Sequence, residues 1–280
     1  MLNSSMRVDL HTHSTASDGE LPPADLVRLA IERGLSVIAL TDHDSCDGID
    51  VAIEAARGTT LQVIPGVELS CDVSQSEVHM LGYFVNWHDA HFRSMLDKFR
   101  EVRFGRAEKM TKKLAALGVP ISFERVKEIA GDGSIGRPHV AQALLEAGHV
   151  ATVSEAFDKY IGRNGPAYVE RFRLTPEDAV ALILQAGGVP VLAHPREVTS
   201  WVEPLVKVGL IGLEVHYGLY DDPTKAELAR MARQYGLVAT GGSDFHGLNK
   251  MGHMSGLGET HVPPEVVAKL KEKAASIKAN

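Results

Sequence analysis

The sequence predicts an α/β fold in which parallel strands alternate with helices and a block of helices interrupts the series. Short β-branched or apolar runs alternate with longer amphipathic stretches, which is the pattern of strand–helix units. The alternation stops over residues 87–165 and then resumes, and side chains of metal-ligating types follow several of the apolar runs. We therefore expect a seven-stranded (β/α) barrel formed by residues 6–86 and 166–280, with residues 87–165 as an inserted helical subdomain.

Seven apolar runs have the length and composition of strands. Several of the amphipathic stretches between them begin near a proline and end near a glycine, as helices commonly do. Four helical patterns follow the fourth run without a strand between them, so we expect the barrel to be interrupted there. The predicted strands are residues 8–10, 37–40, 61–69, 78–84, 189–193, 211–215 and 237–240. The predicted helices are residues 22–33, 50–57, 176–186 and 223–235 in the barrel and 92–117, 122–130, 138–147 and 153–160 in the insertion.

The composition excludes some classes of protein. Hydrophobic residues make up 44% of the 280-residue chain, which is sufficient for a large buried core. No apolar run reaches the roughly 20 residues of a membrane span, no signal-peptide pattern precedes Val8, and Cys46 and Cys71 are too few for a disulfide framework. We expect a cytoplasmic protein with no membrane association and no obligate protein partner. The net charge of −7 disfavours a polyanionic partner unless bound cations offset it.

A pair of histidines follows the first predicted strand. His11 and His13 are two residues apart, so an extended backbone would direct both imidazoles to the same side. Taken alone, the pair fits either a metal site or two ordinary histidines, and Asp18, which precedes Gly19, fits a turn. Their interpretation depends on the other strands.

The other predicted strands carry similar side chains. His43 follows the second strand between two aspartates, and Glu68 ends the third, where an unpaired buried carboxylate would be costly. The functional residues of (β/α) barrels lie at the carboxyl ends of the strands, which meet at one mouth. His79, near the start of its strand, fits this rule less well. The full set of predicted ligands is His11, His13, Asp18, His43, Glu68, His79, His194, Asp244 and His246.

The types of ligand limit the metals. Imidazole plus carboxylate, without thiolate, suits Mn, Fe or Zn better than Ca or Mg. Nine ligands are too many for one ion. We therefore predict two or three divalent metal ions, with Mn favoured.

The ligands occur within short motifs. These are Asp-Leu-His-Thr-His at 9–13, Ser-Asp-Gly at 17–19, Thr-Asp-His-Asp at 41–44, Gly-Val-Glu at 66–68, His79, Ala-His-Pro at 193–195 and Gly-Ser-Asp-Phe-His at 242–246. Together they closely resemble the PHP (polymerase and histidinol phosphatase) family over nearly the whole chain. The resemblance implies a distorted (β/α)7 barrel with a trinuclear metal centre. It implies a first metal held by His11, His13 and Asp244, bridged by Glu68 to a second held by His79 and His194, and a third held by Asp18, His43 and His246.

The resemblance also implies a function. The helical insertion and the runs at 136–139 and 165–169 look most like the branch that acts on nucleoside 3′,5′-bisphosphates and on 5′-phosphorylated RNA. We therefore expect a phosphoesterase that uses metal-activated water on a small phosphorylated nucleotide, as a nucleotide phosphatase, or on short 5′-phosphorylated RNA, as a 5′-3′ exonuclease. Histidinol-phosphate phosphatase and a metal-dependent amidohydrolase are the alternatives. A non-catalytic module is disfavoured by the complete ligand set.

Some residues outside the ligand set are candidates for catalysis or binding. We expect Asp244 and Glu68 to be essential for catalysis, while His216, just past the sixth strand, could protonate the leaving oxygen or be structural. Arg137 and Arg196 could hold phosphate or form surface ion pairs.

A basic segment lies in the predicted insertion. Residues 97–113 contain seven Lys or Arg residues against three acidic ones. Arg103 and Arg106 in this segment fit either a surface that guides an oligonucleotide or an ordinary solvated helix face.

Overall fold

The computed structural model describes residues 6–73, 76–170, 174–247 and 256–279. Within these ranges, seven strands form one sheet in which each strand neighbours the next along the chain. The predicted runs all become strands, with ends shifted by four residues or fewer, which confirms the mixed α/β barrel. The strands are β1 (Val8–Thr12), β2 (Val37–Leu40), β3 (Gln62–Val73), β4 (Ser76–Tyr83), β5 (Val189–Leu192), β6 (Gly212–Tyr217) and β7 (Val238–Gly242).

The sheet curls until its two edge strands meet. Thr12 of β1 forms a parallel bridge with Phe245, just past β7. The Asp244 amide donates to the His11 carbonyl oxygen at 2.9 Å, and the His13 amide donates to the Phe245 carbonyl oxygen at 2.9 Å. These bonds nearly close the barrel and bring the first and last ligand motifs together.

The expectation of parallel strands throughout is wrong at one position. β4 is antiparallel to both of its neighbours, β3 and β5, while the remaining neighbouring pairs are parallel. β3 and β4 form an antiparallel hairpin in which Val73 pairs with Ser76, so the chain reverses its direction between the two strands. As a consequence, the beginning of β4, rather than its end, lies at the mouth where the parallel strands finish. This explains why His79 occurs early in its strand.

The helices around the barrel begin at residues that suit helix starts. Thr175 caps the helix Pro176–Gln185 by accepting a hydrogen bond from the Asp178 amide. Asp221 caps the helix Asp222–Tyr235 in the same way, through the Thr224 amide. Among the described residues, no helix combines the length and the apolar character that crossing a membrane requires. The helices are α1 (Pro23–Glu32), α2 (Ile49–Ala55), α3 (Ala90–Ala116), α4 (Phe123–Ala130), α5 (Arg137–Glu146), α6 (Val153–Ala156), α7 (Pro176–Gln185), α8 (Val202–Lys207), α9 (Asp222–Tyr235) and α10 (Glu265–Ala279).

The inner face of the barrel changes from apolar to polar along its axis. Ile64 and Leu81 belong to an apolar cluster that α10 completes through side chains such as Leu270. Alternate residues of a strand share a face, so Glu68 lies on the face of Ile64 and His79 on the face of Leu81. The apolar half of the barrel interior therefore lies directly below the polar half, which forms the mouth.

The segment between β4 and β5 is helical, as the sequence predicts. The first part of α3 packs on the barrel through residues such as Phe92 and Leu96. The second part joins α4 and α5 in a separate apolar cluster that includes Leu114, Val126 and Leu144. The division into a barrel and an insertion at residues 87 and 165 stays a prediction.

Gly242 allows β7 to approach β1 closely where the barrel closes, and this close approach can be tested by its effect on stability. A Cβ on Gly242 would lie 2.4 Å from the backbone nitrogen of His11. We expect Gly242→Ala to lower the free energy of unfolding by about 1–3 kcal/mol, because the strands must separate to relieve the contact. Gly105→Ala is the control, since a Cβ there meets no atom within 4 Å and alanine favours the helix. Denaturant titration measures both; equal stability of the two variants would contradict this account.

Candidate metal centre

The mouth of the barrel brings all nine predicted ligands into one connected cluster. Six are imidazoles and three are carboxylates, supplied by six of the seven strands or by the loops that follow them. Potential ligand atoms of eight of them fall into three overlapping groups, each with members within 4.8 Å of one another, and His194 joins the cluster through Glu68. The groups are His11, His13, Glu68 and Asp244; His13, Asp18, His43 and His246; and His43, Glu68 and His79.

Glu68 lies at the centre of the cluster and is almost completely buried. Its two carboxylate oxygens face five different imidazoles. Oε1 lies 2.9 Å from His79 Nδ1 and 3.2 Å from His194 Nε2; Oε2 lies 3.2 Å from the Nε2 atoms of His11 and His13 and 3.1 Å from His43 Nδ1. A carboxylate in this position can bridge neighbouring cations.

Asp244 lies just past the end of β7 and belongs to the same cluster. Its Oδ1 lies 3.1 Å from His13 Nε2 and 3.3 Å from His11 Nε2. Its Oδ2 accepts a hydrogen bond from the Tyr217 hydroxyl at 2.9 Å. The hydroxyl therefore fixes the orientation of the carboxylate that faces the histidines.

The third group is built around Asp18. Its Oδ1 lies 3.3 Å from His246 Nε2, and the His246 ring stacks on His13 with centroids 4.0 Å apart. Asp42 holds the loop that carries Asp18: it accepts hydrogen bonds from the Ser14 amide and hydroxyl, both at 2.7 Å, and from the Ser17 hydroxyl at 2.6 Å. The motif that follows β2 thus positions the motif that follows β1.

Three acidic or imidazole residues at the mouth have left-handed backbone conformations. Asp44, His194 and Asp244 have φ angles of 49°, 26° and 56°. Such angles are uncommon outside glycine and are concentrated at functional sites, where the surrounding structure imposes them. Glu214 contributes here by accepting the His194 amide at 2.7 Å.

The donor set fits divalent cations. Several buried ligand atoms face one another without any hydrogen-bond partner: His11 Nε2, His13 Nε2, His43 Nδ1, Glu68 Oε2 and Asp244 Oδ1. Polar atoms buried in this way are costly unless an ion or a proton connects them. Imidazole nitrogen and carboxylate oxygen are also the ligands that Zn and the neighbouring transition metals accept. The cluster can therefore bind metal.

The electrostatics of the protein alone show how strongly the cluster attracts positive charge. Burial opposes ionisation of Glu68 and Asp244, yet the surrounding imidazoles hold the pKa values of both carboxyls well below their usual range. Burial would lower the pKa of His13, but Asp244 and Glu68 raise it to about 10. Burial lowers the pKa of His43 to about 3. Divalent ions would supply the positive charge that protons otherwise bring to this site.

Sequence reasoning missed Glu214, which contacts two of the predicted ligands. His11 Nδ1 donates to Glu214 Oε1 at 2.9 Å, which leaves Nε2 facing the cluster. Glu214 is fully buried within the apolar run of β6. A lone acidic residue in such a run, like Glu68 in β3, is the signal that could have found it.

The structure does not bring His216 to the cluster. A β-bulge between Glu214 and His216 shifts the register of β6 against β7, so Tyr217 rather than His216 faces Asp244. Burial, followed by His261 and Lys225, lowers the pKa of the half-buried His216 imidazole, while Glu265 acts in the opposite direction.

The two arginines proposed for phosphate binding lie in different surroundings. Arg137, at the start of α5, forms an ion pair with Glu77 and is 18% exposed. Arg196 follows His194 and is 61% exposed, with Glu197 3.6 Å from its Nε. Neither touches a predicted ligand in the described part of the chain.

Arg103 and Arg106 were predicted to lie either on a surface that guides an oligonucleotide or on a solvated helix face. Both predictions require exposed side chains, and both are wrong for these two residues. Each is only 6% exposed, because α3 turns this face toward the barrel. Arg103 donates to Asp44 Oδ2 at 2.6 Å and to the Ser70 hydroxyl at 2.8 Å. The basic segment is therefore partly a buried structural face.

The chain is similar to known proteins over most of its length. A family model for the PHP domain matches residues 9–161. The 5′-3′ exoribonuclease Rnm of Salmonella typhimurium is 35% identical over 247 residues, covering 85% of this chain and 84% of the relative. The 3′,5′-nucleoside bisphosphate phosphatase of Chromobacterium violaceum is 33% identical over 247 residues, covering 85% of this chain and 87% of the relative.

A solved structure shows the same fold. A candidate metal-dependent phosphoesterase from Bifidobacterium adolescentis superposes with a TM-score of 0.87 at 30% identity, covering 96% of each chain. The sequence matches, this superposition and the ligand cluster agree. The chain belongs to the PHP domain family and is a metal-dependent phosphoesterase.

Proposed function

We propose that the substrates are nucleoside 3′,5′-bisphosphates, which lose the 3′-phosphate, and short 5′-phosphorylated RNA, which is trimmed from its 5′ end. The names of the exoribonuclease and bisphosphate phosphatase relatives support this choice of substrate. The observation that carries the proposal is Glu68, whose carboxylate connects five imidazoles in a site built for more than one cation. A cytoplasmic location, where such substrates arise, is part of the proposal.

Two or three divalent ions, with Mn favoured, would occupy the cluster. The first would be held by His11, His13 and Asp244, the second by His79 and His194 with Glu68 between them, and the third by Asp18, His43 and His246. When bound, such ions lower the pKa of water and stabilise the negative charge that develops on phosphate oxygens. The overlap of the groups at His13 and His43 places these ligands close enough to serve adjacent ions.

The chain's own residues orient this centre. Glu214 fixes the ring of His11 and holds the His194 backbone, so it positions two ligands at once. Tyr217 fixes Asp244. Arg137 and Arg196 are proposed to hold substrate phosphate, because a guanidinium presents paired donors to phosphate oxygens. His216 stays a proposed proton donor to the leaving oxygen, although the bulge in β6 turns Tyr217 rather than His216 toward Asp244.

A hydrolysis panel with Mn²⁺ tests the choice of substrate. We expect a nucleoside 3′,5′-bisphosphate and a 5′-phosphorylated oligoribonucleotide to be hydrolysed with higher kcat/KM than histidinol phosphate or an aryl phosphate. An oligoribonucleotide with a 5′-hydroxyl is the matched control. Preference for histidinol phosphate would instead assign the chain to that alternative, and failure to hydrolyse any of the four phosphate esters would contradict the proposed function.

Metal content tests the ligand assignment. We expect Glu68→Gln to lower kcat/KM by at least about 100-fold, since loss of an outer partner of a ligand alone costs about 10- to 100-fold. Glu214→Gln should show that smaller loss together with weaker metal binding, because it keeps the ligands but loosens His11. Exposed Glu54→Gln is the control. Metal analysis after dialysis and steady-state kinetics give both quantities; full activity and metal content in Glu68→Gln would refute the assignment.

The bulge in β6 predicts that the neighbouring residues His216 and Tyr217 differ in their importance for activity. We expect Tyr217→Phe to lower kcat/KM at least threefold more than His216→Ala does. The reason is that only Tyr217 donates to a predicted ligand, through a hydrogen bond to a carboxylate. Kinetics at saturating Mn²⁺ separate this effect from loss of metal. A larger loss in His216→Ala would restore that histidine as a catalytic candidate.

A further inference from the structure

The backbone of His194, a predicted ligand of the second metal, has a conformation that needs support from its surroundings. Its φ and ψ angles are 26° and 59°, in the left-handed region that few residues other than glycine adopt. In this conformation its Nε2 lies 3.2 Å from both Glu68 Oε1 and His79 Nδ1. Such strain persists only where neighbouring contacts impose it. The position of this imidazole therefore depends on the bonds that hold the chain on either side of it.

Two hydrogen bonds hold this part of the chain. The His194 amide donates to Glu214 Oε2 at 2.7 Å. Beyond His194 the chain enters the short 3-10 helix Pro195–Trp201, whose first residue has no N–H group. The next amide, that of Arg196, donates to the Tyr220 hydroxyl oxygen at 3.0 Å. Amides in the first turn of a helix have no partner within the helix, so the Tyr220 hydroxyl anchors the chain two residues beyond the ligand.

Tyr220 is itself held in place. It is buried, and its ring packs against the Tyr217 ring with centroids 4.9 Å apart. Its amide donates to the Tyr217 carbonyl oxygen at 3.1 Å, which closes a turn directly after β6. The centroid of the Tyr217 ring lies 5.7 Å from that of His194, and the Tyr217 hydroxyl donates to Asp244. The two tyrosines thus form a packed pair in which Tyr217 contacts a ligand side chain and Tyr220 contacts the backbone next to another ligand.

We propose that Tyr220 is a positioning residue of the metal centre, whose hydroxyl fixes the backbone beside His194 and thereby directs that imidazole to the second metal. The inference rests on the proposed function, in which His194 is a metal ligand. Without the hydroxyl, the Arg196 amide loses its acceptor and the left-handed backbone can relax to a common conformation. Relaxation would move Nε2 away from Glu68. The second metal would then bind more weakly, although every ligand is still present.

Tyr220→Phe tests this inference, because it removes the hydroxyl and keeps the ring that packs against Tyr217. We expect Mn²⁺ to bind about tenfold more weakly, as when other groups that orient metal ligands are lost. In metal-chelated protein, the Arg196 amide hydrogen should exchange with solvent about tenfold faster, because its acceptor is gone. Calorimetric titration and NMR hydrogen exchange measure the two effects. Tyr235→Phe is the matched control, since Tyr235 ends α9 and packs on the main apolar cluster.

A double-mutant cycle tests the route through His194. When Tyr220→Phe is added to His194→Ala, Mn²⁺ affinity should change by less than about twofold, because the hydroxyl acts only through that ligand. The same tenfold loss in both backgrounds would overturn the inference, as would wild-type Mn²⁺ affinity and amide exchange in Tyr220→Phe alone. Wild-type Mn²⁺ affinity in His194→Ala would instead contradict the ligand assignment within the proposed function.

Discussion

The structure depends on one buried carboxylate. Glu68 lies in the barrel interior with five imidazoles within 3.2 Å of its oxygens, and an isolated carboxylate could not be buried there. These histidines lie in or just after β1, β2, β4 and β5, which are distributed around the curled sheet. Their convergence therefore requires the barrel to close, which the bonds between the first and last ligand motifs accomplish. Closure and the metal centre are two aspects of the same constraint.

The antiparallel direction of β4 determines where the insertion meets the centre. β4 begins at the mouth and ends at Tyr83, at the opposite end of the barrel. The chain must return to the mouth from there, and α3, the first helix of the predicted insertion, makes this return with 27 residues and a length of roughly 40 Å. Its first turns pack on the barrel through Phe92, and its middle reaches the mouth at Arg103. The arginines of α3 are buried because of this path.

The sequence was sufficient to predict the seven strands and the nine side chains that meet at the mouth, because apolar runs and the polar residues at their ends are local patterns. It was not sufficient to predict features that depend on pairing or packing between residues far apart in the sequence. The reversed direction of β4, which accounts for His79, comes from a hairpin that the pattern of apolar residues does not encode. The bulge in β6, which turns Tyr217 rather than His216 toward Asp244, is defined by the pairing of β6 with β7. The burial of Arg106 depends on packing against residues more than sixty positions away.

Hydrogen-bond donors divide the acidic residues of the mouth into two kinds. Asp42 accepts from serine groups, and Asp44 accepts from Arg103 and the Ser70 amide, so each is satisfied by the protein itself. Glu68 and Asp244 instead direct oxygens at the imidazoles that are predicted metal ligands. The same reasoning applies with opposite charge on α3. Arg103 is matched by a carboxylate and stabilises the fold, whereas Arg106 donates to a backbone carbonyl oxygen and lies over an aromatic ring.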